Sequence, residues 1–309
     1  MLDASIIIVS YNTADILREC LTSLHQTAGV TYEVFVVDNA SPDGSADIVE
    51  KEFPQVHLIR SSINGGYAYA NNLALKEIGI SAVYADVPDP KRSRYVLLLN
   101  PDTVLTKEAI SRMIAFMDEN PGVGISGPKL LRADGSLDLA CRRSFPTPKI
   151  ALYRMLGLSS LFPKSPRFAK YNFTYLDPDE TTEVDSVVGA FMMLRWEALA
   201  LAGPLDESFF LYGEDLDLAL RIKSLGWKVV YYPKVTVLHY KGESSKTHKP
   251  RAVFEFYRSM LIFYRKHYSS TTPRPLGWLI ISAILTRGLT VYLWNLAGYR
   301  LLLAKTYRR

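Results

Sequence analysis

The chain has 309 residues, of which 48% are hydrophobic and 22% charged, and this composition excludes both a disordered protein and one embedded wholly in a membrane. Its charge is unevenly distributed: residues 241–309 hold 13 Lys and Arg against 2 acidic residues, whereas residues 1–240 hold 23 basic and 29 acidic residues. The acidic body favours cation binding, and the basic C-terminal segment favours an anionic partner such as a membrane surface or a nucleic acid.

Strands and helices are predicted to alternate through the first 120 residues. Buried strands are expected at 5–10, 33–38, 56–60 and 95–100, and helices at 15–27, 46–53, 66–78 and 107–119. This rhythm predicts an α/β fold with a mostly parallel central sheet, right-handed crossovers and helices on both faces.

The second half of the chain is less regular. Residues 141–182 are rich in Pro, Ser, Tyr and Phe, which predicts a loop-rich insertion of the kind that often holds binding function. Strands are predicted at 187–194, 229–232 and 235–238, and a helix at 214–225.

The C-terminal segment contains an apolar stretch, 276–299, that is interrupted by Arg287. A spanning helix needs about 20 apolar residues, and a charge near its middle is costly. With Trp278, Trp294 and a basic chain end, the stretch predicts an interfacial amphipathic pair of helices on a membrane surface. Insertion of this stretch into the membrane, or its packing in a core or a homodimer, are the alternatives. The Trp and Leu residues among its basic residues make a nucleic acid a less suitable partner than a lipid surface.

The two cysteines, Cys20 and Cys141, form no CxxC spacing and indicate no disulfide framework. The chain also starts with a predicted strand, without the basic start and cleavage site of a signal peptide. A reducing, cytoplasmic setting is therefore expected, at the inner face of the cell membrane if the C-terminal segment attaches there.

The strand at 95–100 ends in Asn100, Pro101 and Asp102. Proline cannot donate to the ladder and stops the strand, so Asp102 reaches the carboxyl edge of the sheet, where open α/β folds bind their ligands. A carboxylate in that place can hold a divalent cation, and the cation can hold a phosphate.

Two other strands end in polar residues at the same edge. The first is followed by Ser10, Tyr11 and Asn12, and the second by Asp38 and Asn39. Asp38 is suited to accept hydrogen bonds from a nucleobase imide or a ribose, and Tyr11 to flank the base. A turn with Asx bonding at Asp38 and Asn39 is the structural alternative.

A glycine pair precedes the third predicted helix, in the order Asn64, Gly65 and Gly66, and Asn71 lies within that helix. Glycines at a helix N-terminus let backbone amides approach a phosphate, although a strand-to-helix turn with positive φ has the same requirement. The segment is neither a GxGxxG fingerprint nor a P-loop.

Acidic residues begin the helix predicted at 214–225, and an apolar segment, 209–212, leads up to them. Acidic residues in the first turn of a helix complement its dipole, which is the structural explanation. The apolar residues that precede them instead favour a pocket wall beside a general base. One of Glu214 and Asp215 should point into that pocket, because adjacent helical residues diverge by about 100°. His239, at the end of a strand, is a candidate metal ligand, with a structural role as the alternative.

Taken in order, these segments resemble glycosyltransferase family 2, whose members have the GT-A fold and are mostly inverting. The likeness covers about residues 3–245 and is greatest to bacterial rhamnosyltransferases and galactofuranosyltransferases that build cell-surface polysaccharide. The matching segments are IIIVSYN at 6–12, VVDNAS at 36–41, NGG at 64–66 with Asn71, LLNPD at 98–102, GAFMML at 189–194, LDE at 205–207 with Phe209 and Phe210, EDLD at 214–217, and His239 with Gly242 and Ser244.

The resemblance implies a role for each matching residue. Asp102 would bind Mg²⁺ or Mn²⁺ with the donor diphosphate as the last acid of the DxD motif, whose first acid is replaced by Asn100, and His239 would be the second protein ligand. Asp215 matches the catalytic base, with Glu214 as its neighbour. The nucleotide sugar would be held by the residues at the strand ends and in the glycine segment, namely Ser10, Tyr11, Asn12, Asp38, Asn39, Asn64, Gly65, Gly66 and Asn71.

The expected activity is inverting transfer of a sugar from dTDP-rhamnose or a UDP-sugar to a hydroxyl of a lipid-linked or polysaccharide acceptor. Residues 1–245 would form the catalytic domain, with a nucleotide-binding half at 1–125 and an acceptor-binding half at 126–245, and 246–309 a basic, apolar helical tail. The absence of a QxxRW motif favours transfer of one or a few sugars. A nucleotidyltransferase-like enzyme is the first alternative, but residues 11–13 are not the Gly-rich basic loop that it needs; a non-catalytic binding protein is the second.

Overall fold

The computed structural model describes residues 1–81, 93–240 and 249–306, with the side chains of the last segment given from 250 to 296. Gly242 and Ser244, which contribute to the family resemblance, lie outside the described residues, as do the side chains of the basic residues at the C-terminus.

One mixed sheet organises the described residues. Its strands are β1 (Leu2–Ser10), β2 (Tyr32–Asp38), β3 (His57–Arg60), β4 (Ser93–Leu99), β5 (Thr103–Val104), β6 (Val123–Leu131), β7 (Thr182–Val184), β8 (Phe191–Arg195) and β9 (Lys228–His239). They lie in the order β3-β2-β1-β4-β8-β6-β9-β5, with β7 also beside β9. The β3-β2-β1-β4 half is parallel; β8 runs antiparallel to β4 and β6, while β9 is parallel to β6.

Helices cover both faces of the sheet. They are α1 (Ala14–His25), α2 (Ser45–Glu52), α3 (Tyr67–Glu77), α4 (Ala109–Glu119), α5 (Pro148–Met155), α6 (Leu158–Leu161), α7 (Trp196–Ala202), α8 (Glu214–Ser224), α9 (Lys249–His267) and α10 (Arg274–Thr306). Successive residues Ile6, Ile7 and Ile8 of β1 are all fully buried, although their side chains alternate between the two faces. The predicted α/β class and the alternation of elements up to α4 are confirmed.

The second half of the chain departs from the prediction in several places. Residues 229–232 and 235–238 belong to one strand, β9, with a register shift against β6 between Pro128 and Lys129. Strands β5, β6 and β7 and helix α7 were not predicted. Glycines and a proline obscure β6, and β5 and β7 are only two and three residues long.

The C-terminal segment folds into α9 and α10. Gly277 and Gly288 of α10 lie against Tyr264 and Tyr257 of α9, and Ile284 is buried between them along the same side of the helix. Seven large apolar side chains of α10, between Leu276 and Trp294, are exposed over a wide arc, whereas Ile280, Ile281, Val291 and Leu296 are partly buried. The expectation of an amphipathic helix is therefore wrong for α10, because apolar side chains cover both its packed side and its exposed side.

Helix α9 is bound through α8 to the part of the protein that contains the sheet. The carboxylate of Asp217 is fully buried and accepts contacts from Lys266 Nζ at 2.8 Å, His267 Nε2 at 2.8 Å and Arg221 Nε at 2.9 Å. A small apolar cluster formed by Phe209, Leu216 and Phe263 packs beside these pairs. The first turns of α8, which carry the predicted base, are thus held in place by the contacts of Asp217 with α9.

Candidate active site

The ends of β1 and β2 form the floor of the predicted nucleoside site. Asp38 Oδ2 accepts a hydrogen bond from the Ser41 backbone N–H at 3.1 Å, whereas Asp38 Oδ1 is buried without a hydrogen-bond partner. Ser10 Oγ pairs with Thr13 Oγ1 at 2.8 Å, and Asn12 has a positive φ of 55° and a buried Oδ1 without a partner. The turn at Asp38, which the sequence offered as the structural alternative, is present, and it leaves one carboxylate oxygen unsatisfied.

Asn39 joins this floor to the glycine segment. Its Oδ1 accepts the Gly65 N–H at 3.2 Å, and its Nδ2 donates to Asn64 Oδ1 at 3.0 Å and to the Gly66 carbonyl at 3.2 Å. The amide groups of Asn39 and Asn64 therefore bind one another and the backbone, which shapes the segment. Fully buried Asn71 donates to the Tyr67 carbonyl at 2.8 Å, and its Oδ1 has no partner.

Gly66 sets the distance between the glycine segment and the approach to α8. It has a φ of +94°, and a Cβ at this position would overlap the Phe210 carbonyl oxygen. The adjacent Tyr67 N–H donates to that carbonyl at 2.8 Å. Only glycine combines this backbone conformation with so close an approach.

Pairing between β5 and β9 brings Asp102 and His239 together. Thr103 lies opposite His239 in the ladder, and the Tyr240 N–H donates to the Asp102 carbonyl at 2.9 Å. His239 Nε2 is then 3.3 Å from Asp102 Oδ1, while its Nδ1 is 3.0 Å from Oδ2 of Asp138. Burial disfavours the imidazolium, but the neighbouring carboxylates of Asp102 and Asp138 outweigh it and raise the pKa of His239 to about 9.

This arrangement suits a divalent cation. Asp102 Oδ1 is a buried carboxylate oxygen without a hydrogen-bond partner, and it faces a ring nitrogen of His239. Carboxylate oxygen and imidazole nitrogen together match the ligand preference of Mn²⁺, and the carboxylate alone that of Mg²⁺. Asp138 holds the other ring nitrogen, as a carboxylate behind a metal-bound histidine does. Within the described ranges no group of three or more His, Cys, Asp and Glu side chains is placed to bind a metal.

The two predicted catalytic carboxylates have different surroundings at the start of α8. Asp215 Oδ2 accepts from Arg143 Nη2 at 2.7 Å and from the Gly189 N–H at 3.2 Å, and its Oδ1 accepts from the Leu216 N–H at 2.7 Å. Glu214 Oε2 is buried without a hydrogen-bond partner. Burial, with the nearby charge of Asp215, raises the pKa of Glu214 to about 8.

Tyr67 lies near the carboxylates of α8 and near Asp102, which follows β4. Its hydroxyl donates to the Gly189 carbonyl at 3.1 Å. Burial raises the pKa of this phenol, and the negative charges of Glu214, Asp215 and Asp102 raise it further. The Gly189 N–H donates to Asp215, and the carbonyl of the next residue, Ala190, accepts the Asn100 N–H at 3.0 Å, so the segments that carry these carboxylates are adjacent.

Three residues of this site were not predicted. Asp138 lies at a turn after β6, Arg143 in the insertion and Tyr67 beside the predicted glycines. A buried arginine shows no periodicity in the sequence, and Asp138 is one acid among many in polar turns. The adjacent Asn64, Gly65 and Gly66 were the available signal for Tyr67.

Sequence comparison extends these observations. Residues 5–199 match the family described as "Glycosyl transferase family 2", and residues 168–307 match "Glycosyl transferase family group 2". The N-acetylglucosaminyl-diphospho-decaprenol L-rhamnosyltransferase of Mycobacterium tuberculosis (strain ATCC 25618 / H37Rv) is 27% identical over 282 residues, which cover 91% of this chain and 90% of that protein. Rhamnosyltransferase WbbL of Escherichia coli (strain K12) is 26% identical over 245 residues, covering 78% and 85% of the two chains.

Structural comparison gives the fold independently. The mannosyltransferase PcManGT from Pyrobaculum calidifontis, in a structure with GDP-Man and Mn²⁺, superposes with a TM-score of 0.57 at 16% identity. The match covers 100% of this chain and 84% of that one. The fold is thus the GT-A fold expected from the sequence, and the chain belongs to glycosyltransferase family 2, with likeness to its rhamnosyltransferases.

Proposed function

We propose that this protein transfers one hexosyl residue, rhamnose being the first candidate, from a nucleoside diphosphate sugar to a hydroxyl of a lipid-linked acceptor, with inversion at the anomeric carbon. The observation that carries the proposal is the buried pair Glu214 and Asp215, because the Gly189 N–H that binds Asp215 precedes Ala190, whose carbonyl binds the Asn100 N–H beside Asp102. The names of the mycobacterial and Escherichia coli relatives support rhamnose, and that of the former supports an acceptor linked through a diphosphate to a polyprenol.

The donor nucleotide is proposed to bind at the ends of β1 and β2. The unsatisfied oxygen of Asp38 is available to a base imide or a ribose hydroxyl. The N–H groups of Gly65, Gly66 and Tyr67 are bonded within the protein, so the glycine segment would give the diphosphate room for a close approach. In this division residues 1–125 recognise the nucleotide, and 126–245 supply the base and the acceptor surface.

Asp102 and His239 would hold Mg²⁺ or Mn²⁺, with diphosphate oxygens and water completing its coordination. The cation, when bound, neutralises the charge that develops on the leaving diphosphate. His239 would have to release its Nε2 proton, which the neighbouring carboxylates favour, in order to bind the cation, and Asp138 would keep the ring oriented by accepting the Nδ1 proton.

Asp215 is the proposed general base. Arg143 and the Gly189 N–H orient its carboxylate through Oδ2, and Oδ1, which accepts the Leu216 N–H, retains a lone pair for the acceptor hydroxyl. Glu214 stays protonated near neutral pH because it is buried beside that charge. The hydroxyl loses its proton to Asp215 while its oxygen attacks the anomeric carbon and the diphosphate leaves from the opposite face, which inverts the configuration.

Attachment to the inner face of the cell membrane completes the proposal. Helix α10 is long and apolar enough over Arg274–Leu296 to cross a membrane, as judged by length and composition, and most of that stretch is not buried in the protein. From residue 256 to the end the sequence holds nine Lys and Arg and no acidic residue. An apolar, basic surface of this kind binds anionic lipid.

A donor screen tests the proposed function. Full-length protein is incubated with Mn²⁺ or Mg²⁺, polyprenyl-diphosphate-linked N-acetylglucosamine, and dTDP-rhamnose, UDP-sugars or GDP-mannose in turn, and the lipid product is followed by mass spectrometry. We expect a mass increase of one deoxyhexose with dTDP-rhamnose. Nucleotide binding without transfer from any donor would contradict the proposal and favour a non-catalytic binding protein.

A further inference from the structure

Two separate parts of the chain expose large apolar side chains to solvent. On α10 these are Leu276, Trp278, Leu279, Leu285, Leu289, Leu293 and Trp294, and Trp278 and Trp294 are 74% and 81% exposed. The second part, which we call the α5–α6 insert, spans residues 148–162 and exposes Leu152, Leu156, Leu161 and Phe162. Exposed apolar surface on this scale marks an interaction site.

Both parts have the same charge character. Residues 144–176, which contain the insert, include five Lys and Arg and no acidic residue. Residues 256–309, which contain α10, likewise include no acidic residue. Elsewhere the protein is acidic overall, since residues 1–240 carry more Asp and Glu than Lys and Arg. The apolar side chains are thus accompanied by a positive potential, which matches a surface of anionic lipid headgroups.

Arg287 joins the two parts. Its guanidinium donates to the Met155 carbonyl at 2.8 Å, and this carbonyl belongs to the last residue of α5, where backbone acceptors lack partners within the helix. The arginine that interrupts the apolar sequence therefore caps a neighbouring helix, and it places the insert alongside the middle of α10.

This contact decides how α10 can meet a membrane. Arg287 lies 13 residues after Arg274, which is about 20 Å along a helix at 1.5 Å per residue. If α10 crossed the bilayer from Arg274, the end of α5 would sit near the bilayer centre. The insert carries Lys149 and Arg154 and is joined to the catalytic body at both ends, so that depth is not accessible to it.

We propose that α10 and the α5–α6 insert form one bilayer-facing surface, with α10 lying along the membrane plane and the insert in contact with the same leaflet. The insert follows closely on Arg143, which binds Asp215, so this surface adjoins the active site from the acceptor side. The proposal deepens the membrane attachment proposed above and does not depend on the transfer chemistry.

Vesicle binding tests the role of the insert, measured without donor or acceptor sugar. The double variant Leu156→Asp and Leu161→Asp should bind vesicles that contain phosphatidylglycerol about ten-fold more weakly than the parent protein. Leu225→Asp, which alters an exposed leucine after α8, is the matched control and should bind as the parent does. Equal binding by the double variant, or a loss traced to dissociation of a homodimer in solution, would overturn the proposal.

Sidedness tests the orientation of α10. Cys20 and Cys141 are both buried, so a single cysteine added after Arg309 is the reactive thiol in the full chain. In proteoliposomes with the catalytic domain outside, a membrane-impermeant maleimide should label this cysteine without permeabilisation. Labelling only after permeabilisation would show that α10 spans the bilayer and would overturn the proposal, whether or not the protein transfers a sugar.

Discussion

Asp215 and Glu214 are adjacent in sequence, yet their surroundings give them opposite properties. Asp215 is bound by Arg143 and two backbone N–H groups, which stabilise its charge. Glu214 has a buried oxygen without a partner, and its pKa is raised. Acid and base roles in active sites are commonly separated in this way.

Substitution of each carboxyl group separates the two roles. Asp215→Asn should lower the turnover rate by about 1,000-fold, because the proton acceptor is lost, with nucleotide affinity unchanged. Glu214→Gln should keep most of the activity, since the amide resembles the protonated acid in shape. Turnover and nucleotide binding of both variants check this expectation, and the reverse pattern of activity would make Glu214 the base.

Asp138 is expected to act through His239. Asp138→Asn replaces the charged acceptor of the imidazole N–H by a neutral amide that can also turn its NH2 group toward the ring, so Mn²⁺ affinity in the presence of UDP should fall by about ten-fold to 100-fold. Electron paramagnetic resonance of free Mn²⁺ gives this affinity directly. Asp134→Asn, at an exposed turn nearby, is the control that should leave it unchanged.

Asn100 leads to a related expectation for the metal alone. Since it replaces one carboxylate of the DxD motif, Mn²⁺ should bind weakly until the donor diphosphate supplies further ligands. Titration calorimetry with and without UDP measures the difference. Tight binding of free Mn²⁺ would contradict the two-ligand site.

Among the elements, the glycine segment before α3 depends on one close approach. Gly66→Ala would place a Cβ against the Phe210 carbonyl and ring, in a backbone region that disfavours side chains. We expect a loss of about 3 kcal/mol in the free energy of unfolding, measured with urea. Gly135→Ala is a matched control, since Gly135 also has a positive φ but no neighbour within 4 Å of a Cβ, and it should lose only about 1 kcal/mol.

The sequence patterns predicted some elements and site residues of this protein and missed others. Apolar runs that end in polar residues correctly indicated β1, β2 and β4 and the edge at which Asp38 and Asp102 lie. The patterns could not reveal Arg143 or Asp138, because each acts through a contact across 72 or 101 residues of chain. Nor could they reveal the partner of Arg287, because the Met155 carbonyl is a backbone atom on a different helix.

At the scale of the whole molecule, Asp217 joins the C-terminal helices to the catalytic body. Burial alone would raise its pKa, but the hydrogen bonds from His267 and Lys266 outweigh burial and lower the pKa to about 2. A carboxyl group with a lowered pKa stabilises the fold above the pKa of the unfolded chain, and this contribution is lost as the pH falls through about 2.

Asp217→Asn should therefore destabilise the protein by about 3 kcal/mol at pH 7, because Lys266 and His267 lose their buried partner. The difference between variant and parent should shrink as the pH falls from 4 toward 2. Urea unfolding across that range measures it, and a difference independent of pH would show that Asp217 acts through packing alone.

The GT-A fold, the family and the paired carboxylates together lead to a single displacement at the anomeric carbon, which is the central claim. The configuration of the product tests it most directly, by proton and carbon NMR of the glycolipid formed from a donor of known configuration. We predict that the new bond has the anomeric configuration opposite to that of the donor. A product that retains the configuration of the donor would contradict Asp215 as the base of a single displacement.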